Sequence, residues 1–529
     1  MFTKSRNLWL AALAFLLFFT AFTRLNQLGS LPAGLSWDEA YLGYVGKMVV
    51  TTGRDEYGRL LPRVFESFGD YKAPLAIYLT GLFTAAFGLH PWAVRLPFAL
   101  AGIGSVWLMT RLGTLVFKNR WLGLLTGWWL AIMPWHLLFS RVAFESGLAL
   151  FFYLLALVSW LELRSPAKLD RRYLLAAVVG VAGALYTYHS AKVVMPLALL
   201  AIAGHEWRHH REWLKRQWPA LWRTGIALGL ALLPLLSTLV LGKGGERAAQ
   251  TSIFSQGLGW NETLTALLGG ILSHLSLQFL IFGQTDVLRH GTGMWGQLGV
   301  IQLLFLLVGV AYAINRIIDQ PSLADWLSRK FRRASADVAI HPWLWLALLL
   351  IGILPAAIGF ELPHANRALL AVAPIGLLLT LAAAELRQGL SEIKFSLVVG
   401  LGLLLATLEF VSFWRFYGGP YRIRSGADWL QGYAEAVQMT DRYRGEGKSV
   451  KFTNSYGQPE IFFGFYLNLP TAEYRAVRVE GVDFGPVTLE DFNHYDVIVA
   501  EPREAGPFIP AYHIQRQNGE AAFLIYEKL

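Results

Sequence analysis

The sequence contains no cysteine, which excludes a disulfide-built scaffold and any thiol chemistry and leaves the redox compartment open. Charge is scarce as well. Asp, Glu, Lys and Arg make up 16% of the 529 residues, against about 25% in an ordinary soluble domain. No Walker loop is present, which leaves out the phosphate cradle of that class of nucleotide site. What is abundant is apolar: 55% of the residues are hydrophobic and the mean hydropathy is +0.42. Runs such as 298–315 and 394–411 approach the roughly 20 apolar residues that cross a bilayer, and runs of this kind recur over the first 417 residues. The chain reads as a polytopic α-helical membrane protein.

The net charge of +10 would suggest nucleic acid if it were spread evenly. It is not. Residues 418–529 carry 11 basic and 15 acidic side chains, and the remainder carries 35 and 21. The positive charge therefore lies in the membrane part, clustered in short loops, as the positive-inside rule requires. A nucleic-acid partner is excluded on this ground.

Charge asymmetry also gives a topology. Lys4 and Arg6 precede the apolar run 8–23, and no small-x-small cleavage site follows, so a retained first span with a cytoplasmic N-terminus is expected. The basic segments Arg111 to Arg120, Arg164 to Arg172, Arg208 to Arg216 and Arg329 to Arg333 are expected inside. The count comes to about 11 spans, or about 13 if the ambiguous stretches 73–111 and 264–282 each add one. Stretch 264–282 is expected to lie along the outer surface. Residues 1–417 then form a membrane domain with long outer loops at 25–72 and 242–297. Residues 418–529 read as a small extracytoplasmic α/β domain, with a helix from Asp428 to Arg442 and strands at 450–453, 495–499 and 523–526.

His205-Glu206-Trp207-Arg208-His209 matches the HExxH zinc pattern, but it falls in the most basic loop without an obvious third ligand. A solvated cytoplasmic loop is the expectation there. The first outer loop is more informative. Trp37-Asp38-Glu39 puts two adjacent carboxylates at the start of a helix-period stretch that aligns Leu42, Val45 and Val49, with Ser36 as its cap. Lys72 enters the next apolar run in Lys72-Ala73-Pro74-Leu75. The topology brings further groups to the same face: Arg141 and Glu145, His189 and Lys192, Arg289 and His290, and Glu361, His364 and Arg367. Any one of these could be a snorkelling or positioning charge. Together, a basic cluster opposite two carboxylates suits a lipid phosphate leaving group and a nucleophile that needs a base.

These motifs, with Ala93-Val94-Arg95-Leu96-Pro97-Phe98-Ala99-Leu100-Ala101-Gly102, resemble the GT-C superfamily of glycosyltransferases. The closer likeness is to its bacterial protein mannosyltransferase and aminoarabinose transferase-like families, across about residues 30–150. It continues through Pro363-His364-Ala365-Asn366-Arg367 and the tail segment Trp429-Leu430-Gln431-Gly432-Tyr433. The resemblance implies a multi-pass enzyme of the bacterial cytoplasmic membrane, acting in the cell envelope. It would transfer a hexosyl or pentosyl group from a polyprenyl-phosphate donor to an outer-face acceptor, with inversion; the acceptor is a protein, lipid or glycan. It implies Asp38 as catalytic base with Glu39 beside it, and Lys72 near the donor phosphate, joined by Arg141, His189, His364 and Arg367. Arg95 and Lys192 are secondary candidates. Relatives often carry Arg-x-x-x-x-Asp where this chain has Arg141-Val142-Ala143-Phe144-Glu145, so Glu145 is a substitute of open role. Two adjacent acids can hold a divalent ion, but the resemblance implies that no cofactor is required. The rival reading is a transporter or lipid-linked sugar flippase, which would share the spans but usually shows internal repeats.

Overall fold

The computed structural model describes residues 2–164, 170–240, 252–283, 285, 287–318, 338–470, 474, 481–506 and 508–528. The basic segment Arg329 to Arg333 lies outside the described residues, as do parts of the segment Arg164 to Arg172 and of the loop 242–297. The chain divides into two compact units. One comprises residues 1–26, 98–286 and 290–414, and the other residues 27–97, 287–289 and 415–529. The first outer loop is thus grouped with the tail.

In chain order the helices are α1 (Phe2–Leu25), α2 (Trp37–Thr52), α3 (Pro74–Phe87), α4 (Pro91–Phe117), α5 (Arg120–Ala131), α6 (Pro134–Phe139), α7 (Glu145–Leu163), α8 (Arg171–Leu185), α9 (His189–His209), α10 (Arg211–Val240), α11 (Trp260–His274), α12 (Val300–Ile318), α13 (Trp343–Ala357), α14 (Val372–Gly389), α15 (Glu392–Phe416), α16 (Tyr433–Gly445) and α17 (Pro459–Leu467). Among the described residues, seven helices are long and apolar enough to cross a membrane, and α3 and α13 are shorter apolar helices. The protein is a multi-pass membrane protein.

Burial in the first unit follows from that solvent. Its centre is α14, which is buried continuously from Val372 to Glu385 and packs against α5, α12 and α13. Around it, several helices leave apolar stripes uncovered: Phe15, Phe18 and Phe22 on α1, Trp218, Trp222, Ile226 and Leu230 on α10, and Leu397, Leu401, Leu404 and Leu408 on α15. Residues spaced by three and four fall on one helix face. Such stripes would drive association in water; in hydrocarbon they are the lipid-facing surface.

The second unit contains an antiparallel hairpin and a mixed sheet. Strands β1 (Phe65–Ser67) and β2 (Asp70–Lys72) pair with Phe65 opposite Lys72, across a turn in which Phe68 and Gly69 both have positive φ. Two positive φ values match the right-handed strand twist and fix the register. The tail strands β3 (Val450–Thr453), β4 (Val482–Gly485), β5 (Val497–Ala500), β6 (Tyr512–Gln515) and β7 (Ala521–Glu527) form a five-stranded sheet in the order β4-β3-β5-β7-β6. The pairs β3–β4 and β3–β5 are parallel, and β7 runs antiparallel to both its neighbours. The sheet includes the three expected strands and two more, β4 and β6. The helix expected from Asp428 begins only at Tyr433, because Gly432 adopts φ 109°, a left-handed conformation that interrupts a helix.

The loop 25–72 joins this unit through α2. Gly46 on α2 faces Gly81 on α3 so closely that a Cβ at either position would meet the partner's backbone at 2.5 Å or less. On its other side α2 packs on α17, where the Tyr44 hydroxyl donates to Leu469 O at 2.8 Å. A helix buried on both sides holds its first turn in a fixed place. That turn carries Trp37, Asp38 and Glu39.

Candidate active site

Within the second unit the two adjacent acids have different surroundings. Ser36 caps α2: the Glu39 amide donates to Ser36 Oγ at 3.3 Å, and the Ser36 amide donates to Glu39 Oε2 at 3.2 Å. This reciprocal capping box satisfies two amide donors that a helix start would otherwise leave unpaired. Glu39 is fully buried, and Arg95 grips it in two-pronged fashion, Nε to Oε1 at 2.8 Å and Nη2 to Oε2 at 3.0 Å. The remaining Arg95 donors reach the carbonyls of Leu28, Pro32 and Gly34. Glu39 and Arg95 together therefore pin residues 28–39. Their surroundings support a positioning role for both, whereas the sequence reading paired Glu39 with Asp38 in catalysis.

Asp38 points elsewhere. Its carboxylate meets the Lys72 ammonium at 2.8 Å, with 34% of the Asp38 side chain exposed and only 10% of the Lys72 side chain. Hairpin geometry delivers the lysine, since Lys72 ends β2 immediately before Ala73 caps α3 and Pro74 opens it. Pro at the first helical position is pre-set for the turn and lacks only an amide that has no helical partner. Beside this pair, Arg289 lies over the Trp37 ring at 4.5 Å from its centroid.

Tyr41, one turn further along α2, donates to Glu56 Oε1 at 2.5 Å and lies 2.9 Å from Glu66 O. Burial is the main force on Glu56 and pushes its carboxyl from the ordinary 4.5 up to about 7, with neighbouring Asp55 adding to the rise. Nothing in the sequence singled Glu56 out.

The first unit holds the other nominated residues. Arg141 is fully buried, and its Nη1 and Nη2 donate to the carbonyls of Thr23 and Asn26 at the end of α1. A cation there answers the negative end of the helix dipole and the unpaired carbonyls of the last turn. These contacts give Arg141 a helix-capping role. Glu145 opens α7 in its first turn. His189 opens α9, with Lys192 Nζ 3.3 Å from its Nδ1.

His364 and Arg367 do come together. Both approach Glu361, at 3.5 and 3.6 Å, and the His364 ring meets the His290 ring at 4.6 Å between centroids. His274, which the sequence reading did not single out, holds their loop. Its Nδ1 bonds Gly270 O at 2.7 Å, which leaves Nε2 to accept the His364 amide at 2.9 Å. Burial, helped by His290 and Arg367, pushes His364 down to about 2. It is therefore a neutral imidazole, not one of the cations of an outer basic cluster.

The HExxH segment departs from expectation. It lies at the C-terminal end of α9, not in a solvated loop, and His205 and Glu206 are 1% and 2% exposed. Arg164 and His341, distant in sequence, cover it: Arg164 Nη2 bonds His210 Nε2 at 2.6 Å, and the His341 amide donates to His205 Nε2 at 3.2 Å. Sequence proximity to Arg208, Arg211 and Lys215 suggested exposure; tertiary partners decide otherwise.

Comparison with known proteins follows the same lines. Residues 71–237 match the sequence pattern of the dolichyl-phosphate-mannose-protein mannosyltransferase family. YkcB of Bacillus subtilis (strain 168), whose name assigns it provisionally to the mannosyltransferases, is 34% identical over 131 residues. That stretch is 24% of this chain and 18% of YkcB, so the match spans under a fifth of the relative's length. Among solved structures, ArnT from Cupriavidus metallidurans bound to undecaprenyl phosphate superposes with a TM-score of 0.52 and 13% identity, over 99% of this chain and 98% of that one. The oligosaccharyltransferase AglB from Archaeoglobus fulgidus, in complex with an inhibitory peptide and a dolichol-phosphate, gives a TM-score of 0.52 and 13% identity over 94% of this chain and 70% of that one. At these identities the structural likeness is one of fold.

Proposed function

We propose that this chain, which has the GT-C glycosyltransferase fold, is a membrane glycosyltransferase that takes its sugar from a polyprenyl-phosphate donor. The acceptor hydroxyl is attacked on the outer face of a bacterial cytoplasmic membrane, with the N-terminus inside and the tail outside. The observation that carries this reading is the separation of two adjacent acids. Glu39 is consumed by a cap and a buried arginine, whereas Asp38 stays partly open against Lys72. An open carboxylate beside a semi-buried ammonium can serve both ends of a displacement.

In this mechanism the donor phosphate competes for Lys72 and draws the ammonium from Asp38. Asp38 then takes the proton of the acceptor hydroxyl as its oxygen attacks the anomeric carbon. The bond from that carbon to the phosphate oxygen breaks, its electron pair stays on the phosphate, and the configuration inverts. Lys72 stabilises the growing negative charge where it appears, which is where binding energy accelerates a reaction. No step is assigned to a metal or other cofactor. ArnT and AglB were solved with lipid phosphates, which supports the donor class; the sugar and acceptor follow from neither.

The test is transfer. Purified protein in nanodiscs should move labelled sugar from a polyprenyl-phosphate lipid to an acceptor extract, and Asp38→Asn should slow it by at least about 100-fold. Movement of the intact lipid-linked sugar between leaflets, without cleavage, would instead establish the flippase reading.

A further inference from the structure

Four of the twelve histidines gather beside one buried carboxylate at the C-terminal end of α9, none of them a residue of the mechanism above. Glu206 and His210 are four residues apart and so share a helix face; His205 precedes Glu206 directly. His205 Nδ1 is 3.2 Å from Glu206 Oε1, and His210 Nδ1 is 3.3 Å from Glu206 Oε2. Two ligand atoms on a tetrahedral zinc ion, each about 2.0–2.1 Å from it, lie roughly 3.3 Å apart. The three side chains already stand at coordination spacing, and their ligand atoms all fall within 4.8 Å of one another.

We propose that His205, Glu206 and His210 form a binding site for a divalent transition metal of the zinc class. His209 lies next to this group, its ring centroid 4.8 Å from that of His205, and it stacks on His341 at 5.6 Å. Imidazole with one carboxylate is a donor set that suits zinc, copper or nickel better than magnesium or calcium. The inference rests on this cluster alone and is independent of the proposed sugar transfer.

Hydrogen bonds say what binding must displace. His205 accepts the His341 amide at Nε2, so its proton is on Nδ1, facing Glu206. Arg164 Nη2 approaches both ring nitrogens of His210, Nε2 at 2.6 Å and Nδ1 at 3.3 Å, and His210 Nδ1 stands 3.3 Å from Glu206 Oε2. Arg164, with its Nε 3.5 Å from Glu206, supplies the positive charge that a buried carboxylate requires. A metal ion replaces that charge. In the bound form each neutral imidazole carries its proton on Nε2 and offers Nδ1 to the metal, and the bonds from the His341 amide and Arg164 are given up. Arg164 is thus a competitor for the site. Its side chain is 13% exposed, which leaves it a way out. The bound ion would tie the end of α9 to His210, where α10 begins.

The experiment titrates chelator-stripped, full-length protein in detergent with cobalt(II) and with zinc. The expected result is one cobalt per chain, with visible d–d bands of a four- or five-coordinate nitrogen and oxygen site, displaced by zinc, and a zinc-dependent rise in Tm. Glu206→Gln and the double variant His205→Ala/His210→Ala should each weaken binding by at least about tenfold, the scale seen when even an outer partner of a ligand is lost. Arg164→Met should tighten it, an effect that misfolding could not mimic. Absence of cobalt bands in the natural protein would overturn the proposal. So would equal metal affinity in the natural protein and the Glu206→Gln variant, or weaker binding in Arg164→Met.

Discussion

Asp38 and Lys72 meet at 2.8 Å, the lysine nearly buried and the aspartate one-third exposed. The more exposed partner can be reached from outside; the enclosed one is held to a single place. The two substitutions should therefore separate kinetically. General-base catalysis contributes on the order of 10²–10⁴-fold, so Asp38→Asn should lower kcat by that much while donor binding survives. Lys72→Met removes a charge-assisted contact to phosphate and should raise the donor KM as well. Steady-state kinetics on both variants, with donor affinity measured separately, checks this. An Asp38→Asn enzyme within a few-fold of the natural one would remove Asp38 from the mechanism.

Glu39 makes the opposite forecast. Its pairing with Arg95 is fully enclosed, and breaking a buried ion pair by removing one partner costs about 3–5 kcal/mol, because the other charge is stranded. Arg95→Met should therefore lower Tm sharply and expression with it. Glu39→Gln keeps the shape of the cap and should cost less. Any Glu39→Gln protein that folds should retain most of its kcat. Loss of turnover in Glu39→Gln at unchanged Tm would return Glu39 to a direct catalytic role.

Sequence and structure part company at identifiable places. The helix start at Trp37 and the strands expected at 450–453, 495–499 and 523–526 were legible to within two residues because apolar periodicity and capping are local. The division of labour between Asp38 and Glu39 was legible too, in Ser36-x-x-Glu39, the capping-box spacing. That spacing marks Glu39, not Asp38, as the structural acid. The burial of Arg141 was not legible, because a charged turn residue reads as exposed, whereas it bonds carbonyls at the end of α1, more than a hundred residues earlier. The cluster at Glu206 failed for the same reason: Arg164 and His341 close it from either side in sequence. Long-range partners of buried charges leave no local trace.

The orientation proposal can be checked cheaply, because the chain has no cysteine of its own. Gln458 in the tail and Lys215 on α10 are both exposed. Single cysteines at these positions, probed with an impermeant thiol reagent on intact cells, should label at 458 and not at 215. Positive-inside charge asymmetry is the only basis for this expectation. Labelling at 215 alone would invert the topology and place Asp38 on the cytoplasmic face.

Glu56 gives a pH signature. Its carboxyl is raised from 4.5 to about 7, chiefly by burial, so the folded protein holds a proton there that the unfolded chain releases near pH 4.5. A raised carboxyl contributes stability that is fully present below the unfolded value and is lost as pH rises through the folded one. The window is therefore about pH 4.5 to 7, and above it the enclosed carboxylate is charged at a cost. Glu56→Gln imitates the protonated form and keeps an oxygen to accept from the Tyr41 hydroxyl. The variant should match the natural protein in Tm at pH 4.5 and exceed it at pH 8, with the difference opening between those values. Tyr41→Phe removes the side-chain hydrogen bond that favours the charged carboxylate and should shift the crossover to higher pH. A Tm difference between Glu56→Gln and the natural protein that stays constant from pH 4.5 to 8 would mean that Glu56 titrates like an exposed acid, and that burial does not govern this corner of the site.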